Sequence, residues 1–184
     1  MIRATPNRLD RRSYACGIGR LLVAAILICS GAAAAQDEPA WPVQGTLFGK
    51  NDKQSKDVSG IACSSPAGFP CSCLLVDDES QGAQIVIVQD GEIVAGQVVP
   101  LIDDRYDDEL LELDGEGVAF ADGFFYVIGS HGHPRDKDND LDPVKDQRKI
   151  EASIKANSRV IRVRIDPAAL DRDGKLTATP EIKR

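Results

Sequence analysis

Residues 114–129, DGEGVAFADGFFYVIG, decide how this chain folds. Two apolar runs flank Asp122-Gly123, a pair suited to the positive φ angles of a two-residue hairpin turn, so the stretch predicts strands at 117–121 and 124–129. Its opening is not unique in the chain. Asp-Val-Ser-Gly-Ile-Ala at 57–62 answers Asp-Gly-Glu-Gly-Val-Ala at 114–119, and the likeness of pattern continues. CLLVDDE at 73–79 matches FFYVIGSH at 124–131, and QIVIV at 84–88 matches RVIRVRI at 159–165.

Working outward, each unit reads as four short strands. The first has 58–63, 73–77, 84–89 and 92–99, turning at Asp90-Gly91; the second has 117–121, 124–129, 159–165 and a last strand near 175–179, turning at Asp173-Gly174. Four-stranded sheets repeated about every 50 residues are the pattern of β-propeller blades. The competing reading is a sandwich of two unrelated antiparallel sheets. The expectation is therefore an all-β chain, a partial β-propeller of about two four-stranded antiparallel blades, 57–101 and 114–180, within a region 57–184. An insertion at 131–157 separates the second and third strands of the latter blade. Within it, Asp142 as N-cap, Pro143 at the first helical position and Asn157 as a stop predict a short helix over 143–157. Residues 36–56 form a lead-in with room for one strand in Val43–Phe48. A ring closes only with about four or more blades. Material for two blades implies a portion of a larger ring, self-association through open blade edges, or a truncated, non-functional remnant.

Residues 1–35 read as an export signal, with Arg3, Arg8, Arg11, Arg12 and Arg20 preceding the apolar run Leu21–Cys29 and with Ala33-Ala34-Ala35 offering a cleavage site. Arg11-Arg12 allows a twin-arginine route. The run is shorter than the roughly 20 residues a membrane span needs, so no permanent membrane anchor is expected and the protein should be periplasmic or secreted. Without the five arginines and one aspartate of that leader, the 22 basic and 29 acidic residues of the chain become 17 and 28, a net charge of −11. Such a field repels a phosphate backbone, and no basic stripe interleaved with aromatics offsets it, so nucleic acid is excluded as a partner class.

Three cysteines follow the leader: Cys63, Cys71 and Cys73. An oxidising compartment favours pairing. If 58–64 and 72–77 form a hairpin, Cys63 and Cys73 lie opposite one another, within reach of a cross-strand disulfide, and Cys71 is left free or intermolecular. A thiolate metal site is the disfavoured alternative, because the C-x-C pair has one further cysteine and no histidine nearby in sequence.

The chemistry-bearing residues fall at equivalent places in the repeat. Ser59 and Glu116 occupy matching positions at the starts of the first strands, where a propeller's axis would lie. Asp77, Asp78 and Glu79 finish one second strand, and Ser130, His131 and His133 finish the other. All should gather at one rim. Oxygens from Asp77, Asp78, Glu79 and Glu116 suit a hard divalent cation such as calcium; His131 or His133 with a carboxylate suits a transition metal. Ser59, Ser130 and Arg135 could bind a ligand, Arg135 by gripping a phosphate or carboxylate. The plainer account makes the acids solvated strand ends and the histidines loop braces bonded to backbone. DKDND at 136–140 imitates a calcium loop, but Leu141 and Gln147 stand where glycine and glutamate are required. SHGHPR is similar to a histidine-phosphatase signature, but Ser130 stands in place of its arginine. No G-x-S-x-G elbow, Walker loop or dinucleotide fingerprint is present.

Taken together, SGIA, LLVDDE, LDGEGVAFADGFFYVIGSHGHPRD and SRVIRVRID resemble the bacterial family catalogued as domain of unknown function 3616, from about residue 45 to 170. More distantly, the EGVA strand start is similar to that of secreted propellers labelled esterase-like or phytase-like. The first resemblance implies a secreted propeller-like protein with no assigned reaction. The second is in keeping with an alternative read from the residues, a metal-assisted phosphate or carboxylic ester hydrolase using Glu116, His131, His133 and the 77–79 acids with a metal-bound water. The favoured expectation is a binding module holding a small ligand or a cation at the axial mouth.

Overall fold

A computed structural model describes residues 40–134 and 141–184; the leader, the start of the lead-in and Arg135 with the DKDND loop lie outside the described residues. The short β1 (Val43–Gln44) precedes a meander of four strands: β2 (Val58–Cys63), β3 (Cys71–Asp77), β4 (Gly82–Gln89) and β5 (Glu92–Pro100). A two-residue-per-strand hairpin follows, β6 (Arg105–Tyr106) and β7 (Glu109–Leu110). The second meander is β8 (Gly115–Ala121), β9 (Phe124–Gly129), then helix α1 (Gln147–Asn157), β10 (Val160–Arg164) and β11 (Glu181–Lys183). The meanders form sheets ordered β1-β5-β4-β3-β2 and β11-β10-β9-β8, antiparallel throughout except where β1 joins β5. The all-β expectation with one helix in the insertion therefore holds, in a partial propeller-like arrangement.

The repeat is visible in the registers. Each first strand carries a bulge at the same place, between Val58 and Gly60 in β2 and between Gly115 and Gly117 in β8, so Ser59 and Glu116 are equivalent bulged residues. A bulge puts two residues opposite one and bends the strand. There the sheets touch: a Cβ added at Gly60 would stand 3.0 Å from Gly117 Cα, and one at Gly115 would stand 3.2 Å from Val76 Cβ. Side chains would hold these backbones apart, which is why glycine serves here.

The inner faces close on each other through alternation along the strands. Leu74, Val76, Ile85, Ile87 and Val99 from the first sheet meet Phe125, Val127, Ile161 and Val163 from the second in one apolar cluster, which Leu101, Ile102, Leu113 and Ala156 extend. At about 25 cal/mol per Å² of apolar surface removed from water, each large side chain buried there contributes roughly 1.5–3 kcal/mol. The first sheet has a second cluster on its outer face, with Cys71, Cys73, Leu75 and Val86 covered in part by Leu47 of the lead-in.

Two boundaries depart from expectation. The last strand lies at Glu181–Lys183, not near 175–179. The Asp173-Gly174 turn closes only the bridge Leu170–Leu176, because the Gly174 carbonyl accepts from Gln97 N (2.9 Å) and the Leu176 amide donates to Gln97 Oε1 (3.0 Å). That segment is thus held by β5 of the other sheet. The helix starts at Gln147 instead of 143. Asp142 does cap, accepting from the Val144 and Lys145 amides (both 2.9 Å), but it caps a turn preceding the helix. The lead-in does supply the one strand for which Val43–Phe48 had room: β1 joins the outer edge of the first sheet through Val43–Ile93 pairing, making that sheet five-stranded.

Candidate functional site

The strand ends singled out above do meet at one end of the molecule. β3 ends at Asp77, paired with Val58, and β9 ends at Gly129, paired with Gly115. The segment before β8 joins these ends: Leu113 N donates to Ser80 O (3.0 Å), and a Cβ at Gly129 would stand 2.7 Å from Leu113 O.

Within that end, neighbouring acids differ in their surroundings, since Asp77 is the last residue of β3 and Asp78 lies in the turn that follows. Asp77 is buried and points to the outer face of the first sheet. There its carboxylate accepts from Ser55 Oγ and from the Glu79 amide (3.0 Å), and a Cβ at Gly49 would stand 2.8 Å from its Oδ2. Asp78 faces the junction of the sheets. Its pKa is raised above the ordinary value, first by loss of solvation and then by Asp57, Asp77, Glu79 and Asp114 around it. Its Oδ1 is shielded from solvent and has no hydrogen-bond partner among the described residues. Ser59 is exposed and donates locally, to Asp57 O (3.2 Å); Glu116 is exposed on its bulge.

The histidines brace their own turn. His131, at φ 54°, pairs Nδ1 with Gly129 O (2.8 Å), and its amide donates to Asn157 O (3.4 Å). His133 Nδ1 contacts Pro134 O (3.2 Å), Ser130 Oγ accepts from the Gly132 amide (3.1 Å), and buried Asn157 donates to Gly132 O (3.1 Å). Those contacts are the backbone bracing of the plainer sequence account. Among the described residues the one group of three or more histidine, cysteine, aspartate or glutamate ligand atoms all within 4.8 Å of one another is Cys63, Cys71 and Cys73; the carboxylates and histidines of the rim do not converge that closely.

A feature absent from the sequence reading lies beside Asp77. A cleft of about 660 Å³ opens on the outer face of the first sheet, between the 48–52 turn and the β6–β7 hairpin. Leu75, Val98 and Ile102 contribute apolar surface, and Asp77, Glu79 and Glu112 line it with Lys50 and Arg105. Lys50 pairs with Glu112 across it, and Arg105 donates to Asp108 O (3.0 Å). The far wall is fixed by Gln81, whose amide donates to Asp104 O and Leu111 O (both 2.7 Å), and by a two-pronged Arg159–Asp104 pair (2.6 and 2.7 Å). Asp107 and Asp108 make the hairpin turn, both at positive φ.

The Cys63–Cys73 disulfide is present, and Cys71 is free and buried. Among the described residues no helix is long and apolar enough to cross a membrane.

Two mainly antiparallel sheets in tandem, sharing one core and presenting polar strand ends at a common rim, make an all-β module consistent with a partial propeller-like fold. A family model, Protein of unknown function (DUF3616), matches residues 73–184, more than half of the chain. The chain belongs to the DUF3616 family. The match begins within β3 and runs through the whole second sheet. No curated protein and no solved structure matches it.

Proposed function

We propose that the chain is an exported binding module that takes a small polar ligand, neutral or cationic, in the cleft between the 48–52 turn and the β6–β7 hairpin. One observation carries this reading. The cleft, at about 660 Å³, has the size of small-molecule sites, and its lining sets Asp52, Asp77, Glu79, Asp108, Glu109 and Glu112 against only Lys50 and Arg105. Both cations are engaged, with Glu112 and with the Asp108 carbonyl. The surplus negative field favours an amine or a hydroxyl-rich molecule over a phosphate or carboxylate, and the apolar patch accepts a ring or alkyl face. This keeps a ligand-binding role and retains Asp77 and Glu79, while moving the ligand from the axial mouth to the sheet's outer face. The leader sequence and the Cys63–Cys73 bond support export to an oxidising compartment.

Thermal unfolding with a panel of amines, polyols, phosphates and dicarboxylates tests it. A binder at 100 times its Kd should stabilise the protein by about 2.7 kcal/mol. Leu110→Trp, which fills the mouth from an exposed position, should abolish that gain. A gain confined to the anions, or one untouched by Leu110→Trp, would end this reading.

A further inference from the structure

The sulfur atoms of Cys63, Cys71 and Cys73 all lie within 4.8 Å of one another, although only two of them are bonded. The β2–β3 register explains the grouping. Cys63 pairs directly with Cys73, and Cys71, two residues back on β3, projects from the same face. Cys71 and Cys73 are 6% and 1% exposed and Cys63 is half-buried; Leu47, Leu75, Val86, Val88 and Ile93 pack around them, and the Ser65 and Ser72 carbonyls accept from the Cys71 sulfur. No histidine or carboxylate among the described residues joins the group.

We propose that the reduced chain holds one soft cation, copper(I), on these three thiolates, and that the disulfide withholds the site. The donor set decides the ion. Soft thiolates select copper(I), zinc or iron–sulfur clusters; structural zinc takes four ligands and iron–sulfur clusters take four cysteines. Three sulfurs joined by no histidine or carboxylate among the described residues fit a three-coordinate copper(I); the oxygens beside them are the neutral backbone carbonyls of Ser65, Cys71 and Ser72, each 3.7 Å from a cysteine sulfur, which leaves a hard cation no charged oxygen to bind. The chemistry balances as two events. A dithiol reductant passes two electrons and two protons to the Cys63–Cys73 bond, giving two thiols and its own disulfide. The ion then displaces the protons of the thiols it ligates. This inference is independent of the cleft.

The test is competition for copper(I) under anaerobic conditions against a coloured copper(I) chelator, after reduction with a phosphine that is then removed. The reduced chain should withdraw one equivalent and gain near-ultraviolet thiolate-to-copper absorption, while the oxidised chain withdraws none. Cys71→Ser, which leaves the disulfide pair intact, should lose that equivalent once reduced. X-ray absorption on the unmutated copper-loaded chain counts the sulfurs without relying on a variant: three are expected. Two sulfurs, equal withdrawal by Cys71→Ser, or withdrawal by the oxidised chain would each overturn the proposal.

Discussion

The two sheets share a plan and differ in what covers their outer faces. In the first, β3 is buried along almost its whole length, because its inner face meets the second sheet and its outer face lies under the lead-in. In the second, β9 and β10 alternate: Phe125, Val127, Ile161 and Val163 are buried, while Ile128 and Val160 are 44% and 54% exposed. Arg162 and Arg164 instead lay their guanidinium groups over the Phe124 ring, 4.3 and 5.4 Å from its centre. A strand buried on both faces reads as an unbroken apolar run, and one buried on a single face reads as alternation. The chain contains both patterns, CLLV and VIRVR, and the difference reports how many layers lie over each strand. The sheets are equal on the inside and unequal on the outside.

The largest expected effect tests the shared inside. Leu74→Ala and Ile161→Ala each remove a fully buried side chain, one from each sheet, in the same cluster. Each should cost about 2–5 kcal/mol and move a single cooperative unfolding transition. Two separate transitions, with each substitution moving only its own, would break the comparison by showing two independent sheets.

The outside gives a smaller and unequal effect. Leu75 and Ile128 both point outward from a second strand, but Leu75 is 5% exposed against 44% for Ile128. Leu75→Ala should cost about 2–3 kcal/mol and Ile128→Ala less than about 1 kcal/mol. Chemical denaturation of both variants measures the gap. Equal losses would mean that a layer covers the second sheet in solution as the lead-in covers the first.

These contrasts mark what was legible in the sequence. The Asp122-Gly123 turn was, since glycine and aspartate both accept the positive φ that they adopt there. The β6–β7 turn was not: Asp107 and Asp108 adopt the same kind of angles without a glycine, a weaker turn signal than Asp-Gly between strands of only two residues. The final strand was misplaced because a local signal at Gly174 serves a long-range contact with Gln97, which only the packing of the two sheets creates. The cysteine pairing followed from the expected oxidising compartment together with the hairpin register and is found as expected. The rim acids were legible as a group, but their different surroundings were not, because Asp77 ends β3 and Asp78 lies in the turn after it, where the period-2 pattern of a strand no longer applies.

Asp78 supplies the smallest expected effect, and the one that locates the seam between the sheets. Shielding and the nearby carboxylates raise its pKa in the folded chain, with Asp57 just before β2 and Asp114 just before β8 among the causes. A raised carboxyl pKa means the folded state holds a proton that the unfolded state has released. Stability should therefore fall as pH rises from the ordinary carboxylate value through the folded one, and the penalty is complete above that. Asp78→Asn removes the charge, so it should raise the melting temperature at pH 7. The gain should shrink on acidification and disappear below the unfolded pKa, where the native acid is protonated in both states. Melting curves of the two proteins from pH 3 to 8 read the difference directly. An Asn variant less stable than the parent at pH 7 would show that the Asp78 carboxylate is compensated, and a pH-independent offset would place the effect in packing instead of charge. Either result would remove the seam between the sheets as a site of electrostatic strain.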